Sequence, residues 1–382
     1  MKKLLLATAV SAAFAAPATV LAQQARVPTL GQVLDASGLS VNGYIDAGYN
    51  WANRNVEAGI QGTPAAPGVP PRVFDNQNNS FSLHQLGLTV AKQPKEGFGG
   101  LVNFTVGSDA QVIHSFPETT GVGSSMFDVT QGYLSYSKGA LTVIGGKFTT
   151  LAGTEVIAST GNNNISRSIL FGAIPFTHTG VRASYAPSDT FTIYGGLNNG
   201  WDQVTDLNRQ KTLELGATFN PVKPLTMTLS GYFGDENVGP AGAIPNGERD
   251  LIDFVLNYVA SDSLSFGGEI LTFKQDLGGT SAKYQGLALY GSAMLSSQWR
   301  ASVRGEYFDD KDGFRFHTTS GGGPLGVKYY EATLTLAYLP TSAVELRTEV
   351  RADKAKEAVY VDSDGSTSKT LMTFGLQGLY KF

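Results

Sequence analysis

The sequence predicts an all-β chain closed into a membrane-spanning, antiparallel up-and-down barrel of about sixteen strands. Three observations carry this. Segment after segment alternates apolar and polar residues, the period of an extended chain whose side chains point to opposite faces. Very short connections between these segments exchange regularly with long ones. Only 16% of residues are charged, against 46 Gly, 21 Phe and 16 Tyr, yet no apolar run of eighteen or more follows the N-terminus. A helical membrane protein would need such a run.

Met1-Lys-Lys, the apolar stretch Leu4–Ala16 and the compact Val20-Leu21-Ala22 read as a secretory signal peptide over residues 1–22. A short periplasmic leader (23–38) follows, with Leu30, Val33 and Leu34 at helical spacing. The barrel is expected over 39–382. Its first strand, Leu39–Trp51, sets Val41, Ile45, Tyr49 and Trp51 against Asn42, Asp46 and Asn50. Ser80–Lys92 puts Leu86, Leu88 and Val90 on one face, and Phe98–Ser108 does the same with Val102, Phe104 and Val106. Hairpins follow with turns at Ser137–Gly139, Pro187–Asp189, Pro221–Pro224, Ser261–Ser263, Ser296–Gln298 and Pro340–Ser342. They join Phe127–Tyr136 to Leu141–Phe148, Phe176–Tyr185 to Thr190–Asn199, and Thr212–Asn220 to Leu225–Gly234. The later pairs are Leu251–Ala260 with Leu264–Gln275, Lys283–Met294 with Trp299–Asp309, and Val327–Leu339 with Ala343–Asp353. The last strand, Lys369–Phe382, places Met372, Phe374, Leu376, Tyr380 and Phe382 on one face.

The strands run to roughly 9–14 residues, close to the length of about 9–11 that a tilted strand needs to cross a bilayer. Short turns then face the periplasm and long loops the exterior. A propeller would show a blade-length repeat, and none is present. A sandwich would leave edges to protect, whereas closure satisfies every backbone group in lipid. Aromatic residues near strand ends (Trp51, Tyr136, Tyr185, Tyr258, Tyr338, Tyr380) fit the two membrane–water interfaces.

The less apolar face gives the expected pore lining: Asp46, Lys147, Arg182, Glu214, Asp253, Glu269, Arg300, Arg304, Glu306, Glu331, Glu345, Arg347, Glu349 and Arg351. The row Glu345-x-Arg347-x-Glu349-x-Arg351 is decisive. On the lipid side each Arg would cost roughly 2–4 kcal/mol near the midplane. Inward charges serve either a water-filled channel or a ladder of ion pairs that props the wall. At sixteen strands the barrel is wide enough to leave an aqueous channel. Among the long connections, Thr150–Pro175 alone mixes apolar clusters with polar ones, as a buried segment would. It is expected to fold into the lumen as the constriction, with Glu155 and Arg167 near the pore.

The mildly acidic balance, a net charge of −4, argues against a nucleic-acid partner, and the lack of Cys removes thiolate chemistry. Of His84, His114, His178 and His317, only His178 is expected on a strand's inner face. No nucleophile elbow or His-Glu-x-x-His pair occurs. Asp362–Gly365 lacks most of a calcium loop and reads as an exposed turn. No catalytic residue, metal or cofactor is expected.

Gly43–Trp51, Asp128–Tyr136, Val143–Glu155 and Ser166–Tyr185 resemble the OmpL-like β-barrel porins, and the likeness runs from about Leu39 to Phe382. The resemblance implies an outer-membrane location in a Gram-negative bacterium. It also implies passive diffusion of small hydrophilic solutes or ions, and a third long loop that narrows the channel. Phe382, with Tyr380, matches the terminal aromatic signal read by the barrel-assembly machinery. Outer-membrane lipid is then a partner, and a homotrimer the assembly general porins often form. The alternative is a closed or plugged barrel that meets a partner through its long loops.

Overall fold

The computed structural model describes residues 29–54, 72–75, 77–118, 120, 123–236, 247–316, 319–320, 323–362, 364 and 366–382. The expected signal peptide, the leader up to residue 28, and His317 lie outside the described residues. Helix α1 (Leu30–Ser37) realises the helical spacing of the leader.

In the unit Gly38–Phe382, sixteen strands among the described residues close into one antiparallel barrel. They are β1 (Ser40–Ala52), β2 (Ser80–Lys92), β3 (Gly97–Val106), β4 (Phe127–Lys138), β5 (Leu141–Thr149), β6 (Thr177–Ser188), β7 (Phe191–Asn198) and β8 (Thr212–Val222). Then come β9 (Leu225–Glu236), β10 (Gly247–Ser261), β11 (Leu264–Asp276), β12 (Ser281–Met294), β13 (Trp299–Asp310), β14 (Val327–Tyr338), β15 (Val344–Ala355) and β16 (Thr370–Lys381). Closure is made by β16 on β1, in register from Tyr44↔Lys381 to Ala52↔Thr373. Phe382 and Gly43 add a reciprocal backbone pair at 2.8 and 2.9 Å. The sheet therefore has no unpaired edge between its first and last strands.

Several strands run further than the sequence suggests, and two of them do so through a proline. β6 continues through Pro187 and β8 through Pro221, each at a register irregularity, where a residue without an N–H is tolerated. Two bulges matter more. In β2 the partner of Asp46 is Gln85 and that of Ala47 is Leu83, so His84 is an extra residue. His84 and Gln85 are consequently both buried inside, which corrects the expectation that only His178 among the histidines faces inward. The bulge in β4 does the same for Thr130, whose hydroxyl lies 2.7 Å from that of Thr105.

Outward positions are apolar and exposed, as at Leu213, Leu215, Ile252, Ile270, Leu289 and Val303, while their neighbours in sequence are buried or half-buried. A surface of this kind is stable against hydrocarbon rather than water. Trp51, Tyr136, Tyr185, Tyr258 and Tyr380 are exposed, and cross-strand rings pair at Phe98–Tyr136 and Trp299–Tyr338, both 4.9 Å apart.

The half of the barrel interior nearest the long connections is packed. Val73, Phe74, Val112, Ile113, Leu170, Phe171 and Phe176 from the connections meet Tyr232, Leu251, Phe273, Tyr284 and Phe308 from the wall. This corrects the expectation that the connections other than Thr150–Pro175 are solvated. Arg72–Asp75 and the turn of helix α2 (Ala110–Ile113) are buried, and Phe314 and Phe316 border the same cluster. A sixteen-strand wall leaves a space its own side chains cannot fill, so apolar residues on the connections fill it. Gly107 makes the inward turn before α2: its φ is +136°, and a Cβ there would lie 2.3 Å from the His84 carbonyl oxygen.

Candidate functional site

Residues 150–176 leave β5 and rejoin the wall at β6, and between those points they lie against the inner faces of strands on the opposite side. Gly153 starts the passage with φ +91°, and a Cβ there would meet the Ile174 side chain at 2.5 Å. From there the wall grips the segment's backbone with carboxylates on N–H groups and arginines on carbonyls. Gly153 N–H donates to Asp253 Oδ2 (2.9 Å) and Thr154 N–H to Glu269 Oε2 (2.8 Å). Glu349 accepts from Ile165 N–H (2.6 Å) and Ser166 N–H (2.9 Å), and Glu306 from Ile169 N–H (2.8 Å). In the other sense, Arg304 donates to the Ser166 carbonyl (2.8 Å), Arg351 to that of Arg167 (2.6 Å) and Arg347 to that of Asn164 (3.3 Å). Tyr284 donates its hydroxyl to the Ala173 carbonyl at 2.6 Å. Charge-assisted bonds of this kind are the stronger class, and they replace the water that a buried backbone would otherwise lack.

The wall charges also satisfy one another. Arg304 reaches Glu155 (2.7 Å), Glu331 (3.2 Å) and Glu306 (3.3 Å). Arg351 holds Asp353 (2.7 Å) and lies 3.7 Å from Glu331, while Arg347 holds Glu345 (2.7 Å), which also pairs with Arg300. Glu345, Arg347, Glu349 and Arg351 all face inward, as their period-two spacing requires, and all four are buried. Across the barrel Arg182 pairs with Glu214 at 2.6 Å over the Phe148 ring, and Lys147 lies 3.3 Å from Asp128. Asp46 takes Gln377 (2.8 Å) and His84 (3.2 Å). These fourteen residues thus fall into two groups. Asp253, Glu269, Arg304, Glu306, Arg347, Glu349 and Arg351 touch the inner segment directly. The others pair along the wall.

Glu155 and Arg167 organise the segment itself. Glu155 bonds Arg304 and the Ser168 N–H. Arg167 donates to the carbonyls of Val156 (2.9 Å), Ile157 (2.8 Å) and Ile165 (3.0 Å), with Phe74 and Phe171 flanking it at 5.2 and 5.8 Å. Burial holds its guanidinium below the usual arginine value, with Glu155 and Asp109 opposing. Two carboxyls outside the strands are pushed up by burial. Asp109, which accepts from Gln85, moves to about 7. Asp202, which accepts from the N–H groups of Phe176 and Thr177, moves to about 6.

Some of these residues escape a reading of the sequence. Arg72 pairs with Asp75 and Asp353 beneath the segment, and Arg315 donates to the Gly172 carbonyl. Arg72-Val-Phe-Asp75 carries a signal, an apolar pair between charges in a stretch otherwise rich in Gly, Pro and Asn. His178 stacks on Tyr232 at 4.6 Å, with Nδ1 3.2 Å from the Gly200 carbonyl oxygen. Arg54 pairs with Asp362, and Asp364 accepts from the Ser366 N–H, in the turn that resembles part of a calcium loop. Tyr380 and Phe382 lie on the outer face of the closing strand, their rings 6.1 Å apart.

A family model described as "Putative beta-barrel porin-2, OmpL-like" matches residues 38–382. No curated protein matches the sequence. Solved structures do. An anion-selective porin from Comamonas acidovorans superposes with a TM-score of 0.63 at 13% identity, over 90% of this chain and 99% of that one. The outer membrane channel DcaP of Acinetobacter baumannii gives 0.60 at 13%, over 90% and 97%. OmpT of Vibrio cholerae, in its trimer form, gives 0.59 at 12%, over 90% and 99%. At these identities the likeness is one of fold.

Proposed function

The chain belongs to the Putative beta-barrel porin-2, OmpL-like family, and from that premise we propose that it lets small hydrophilic solutes diffuse passively through its lumen. The family and the fold are those of outer-membrane channels of Gram-negative bacteria, which supports a channel without catalysis. The observation that carries the reading is the held inner segment in a barrel this wide. A channel needs a narrow zone that stays put, and residues 150–176 are fastened to the wall from β10 to β15. In our reading the segment is the constriction, with Glu155 and Arg167 as its internal braces. The inward charges then set its position and the field around it. Toward the short turns the inner wall of β7 to β12 is half-exposed and uncharged, with Tyr194, Thr218, Thr228, Ser265 and Ser292, while the Arg300–Glu345 pair lines β13 and β15 there. It forms the wide vestibule.

The same proposal places the short turns and both termini in the periplasm and assigns Tyr380 and Phe382 to recognition by the barrel-assembly machinery. It takes outer-membrane lipid as the medium around the apolar face. A homotrimer is supported by the trimeric OmpT among the similar folds. A second reading rests on the apolar cluster at the long-connection end. Such a cluster suits a plugged barrel that works through its surface. Liposome swelling with uncharged solutes of graded size separates the two. Swelling that falls off with solute size supports the channel, and liposomes that stay inert around a folded barrel support the plug.

A further inference from the structure

Beside the inner segment, toward the short turns, is a cavity of about 270 Å³. At roughly 30 Å³ per liquid water it has room for about nine waters, or for one sugar ring. Residues 161–164 of the segment form one side, and β10 to β13 form the other. Its chemistry is uncommon for this interior. Much of the segment meets the wall through charges, whereas here the lining groups that lack a hydrogen-bond partner are neutral. Tyr290 Oη is buried with no partner. Asn163 and Asn257 are exposed to the cavity and Ser265 half-exposed, and none of the three makes a side-chain hydrogen bond among the described residues. The charged residue in the lining, Glu155, is already neutralised by Arg304 at 2.7 Å. Gly267 flattens the floor next to the Tyr290 ring, where a Cβ would lie 3.3 Å from the Tyr290 side chain.

We propose that this cavity is a binding site for a small neutral polyhydroxyl solute, a sugar or polyol, on its way through the lumen. The inference rests on the channel reading for the solute's route, but not for its binding. Amides and hydroxyls both donate and accept, as sugar hydroxyls do, so each can find a partner in any orientation. An ion entering here would give up hydration, and the lining residues offer it no unpaired opposite charge. The tyrosine ring supplies an apolar face against which the C–H side of a sugar can lie.

The test is calorimetric titration of the full mature chain, refolded in detergent, with glucose, gluconate and glucosamine. Folding is checked by heat-modifiable mobility on gels. Glucose should bind saturably and more tightly than its acidic and basic relatives. Tyr290→Phe and Asn257→Leu should each weaken glucose roughly 2- to 12-fold, the range for one neutral hydrogen bond. Asn163→Asp, on the exposed rim, should shift the preference toward glucosamine. Absence of saturable glucose binding by a folded barrel overturns the inference. So does tighter binding of gluconate, or a Tyr290→Phe chain that binds as the wild type does. Binding that persists in a barrel silent in planar bilayers upholds the site and removes the channel reading instead.

Discussion

Replacing Arg304 by methionine should loosen the inner segment while leaving the barrel closed. The Arg304 guanidinium is buried and makes bonds to Glu155 (2.7 Å), the Ser166 carbonyl (2.8 Å), Ser166 Oγ (3.0 Å), and Glu331 and Thr333 (both 3.2 Å). Methionine keeps much of the volume but leaves Glu155, Glu306 and Glu331 buried without their shared cation. Breaking a buried pair from one side costs about 3–5 kcal/mol. At 1.4 kcal/mol per factor of ten, the released segment gains roughly two to three and a half powers of ten in population. The barrel keeps its backbone pairing, because Arg304 contributes nothing to the ladder between β13 and β14 except its main chain. Limited proteolysis of the refolded protein, with heat-modifiable mobility as the control, reads the outcome. New cleavage within residues 150–176 on a barrel that still migrates as folded is expected. Wild-type resistance, or loss of the folded band, would refute the reasoning that this arginine chiefly clamps the segment.

Glu349→Gln keeps the shape but halves the acceptors for the Ile165 and Ser166 N–H groups, and should expose the same segment more weakly, by about 1–3 kcal/mol; proteolysis rates compare the two variants. Phe74→Ala removes a buried ring that packs on Phe171 (5.7 Å) and Arg167 (5.2 Å), and should cost about 3–5 kcal/mol, read as a lower denaturant midpoint for ring fluorescence or cleavage near residue 74. Asp202 is lifted to about 6 by burial, so the folded chain holds its proton more tightly than the unfolded chain does. Its ionisation therefore disfavours folding as pH rises from about 4 to 6. Relative to Asp202→Asn, wild-type stability should fall across that window and level off above it, whereas a flat difference in unfolding midpoints would show that burial does not shift this group.

The barrel was legible because a period of two is local. Glu345 to Arg351 and the outward Val344, Leu346 and Val350 declare their faces within one strand, and the short turns punctuate them. The inner segment was legible from its composition, since Ile169–Ile174 beside Asn162–Asn164 and Arg167 suits a buried path rather than a solvated loop. What stayed hidden depends on register or on distance along the chain. A bulge at His84 inverts the alternation and brings two consecutive side chains inward, and no pattern announces a single extra residue. The pairing of Arg72 with Asp353 joins residues 281 apart. The partners of Asp202 and Arg315, on different connections, are likewise set by how the connections pack. The sequence marks the charges that face inward; which of them hold the segment and which hold each other is decided by the packing of the connections.

The most direct test is single-channel recording of the refolded wild-type chain in a planar bilayer, beside Arg304→Met. Discrete conductance steps are expected for the wild type and larger or noisier steps for the variant, because in the proposed channel residues 150–176 narrow the lumen and Arg304 holds them there. A folded wild-type barrel that gives no steps, or a variant whose steps match the wild type despite a loosened segment, would contradict this reading.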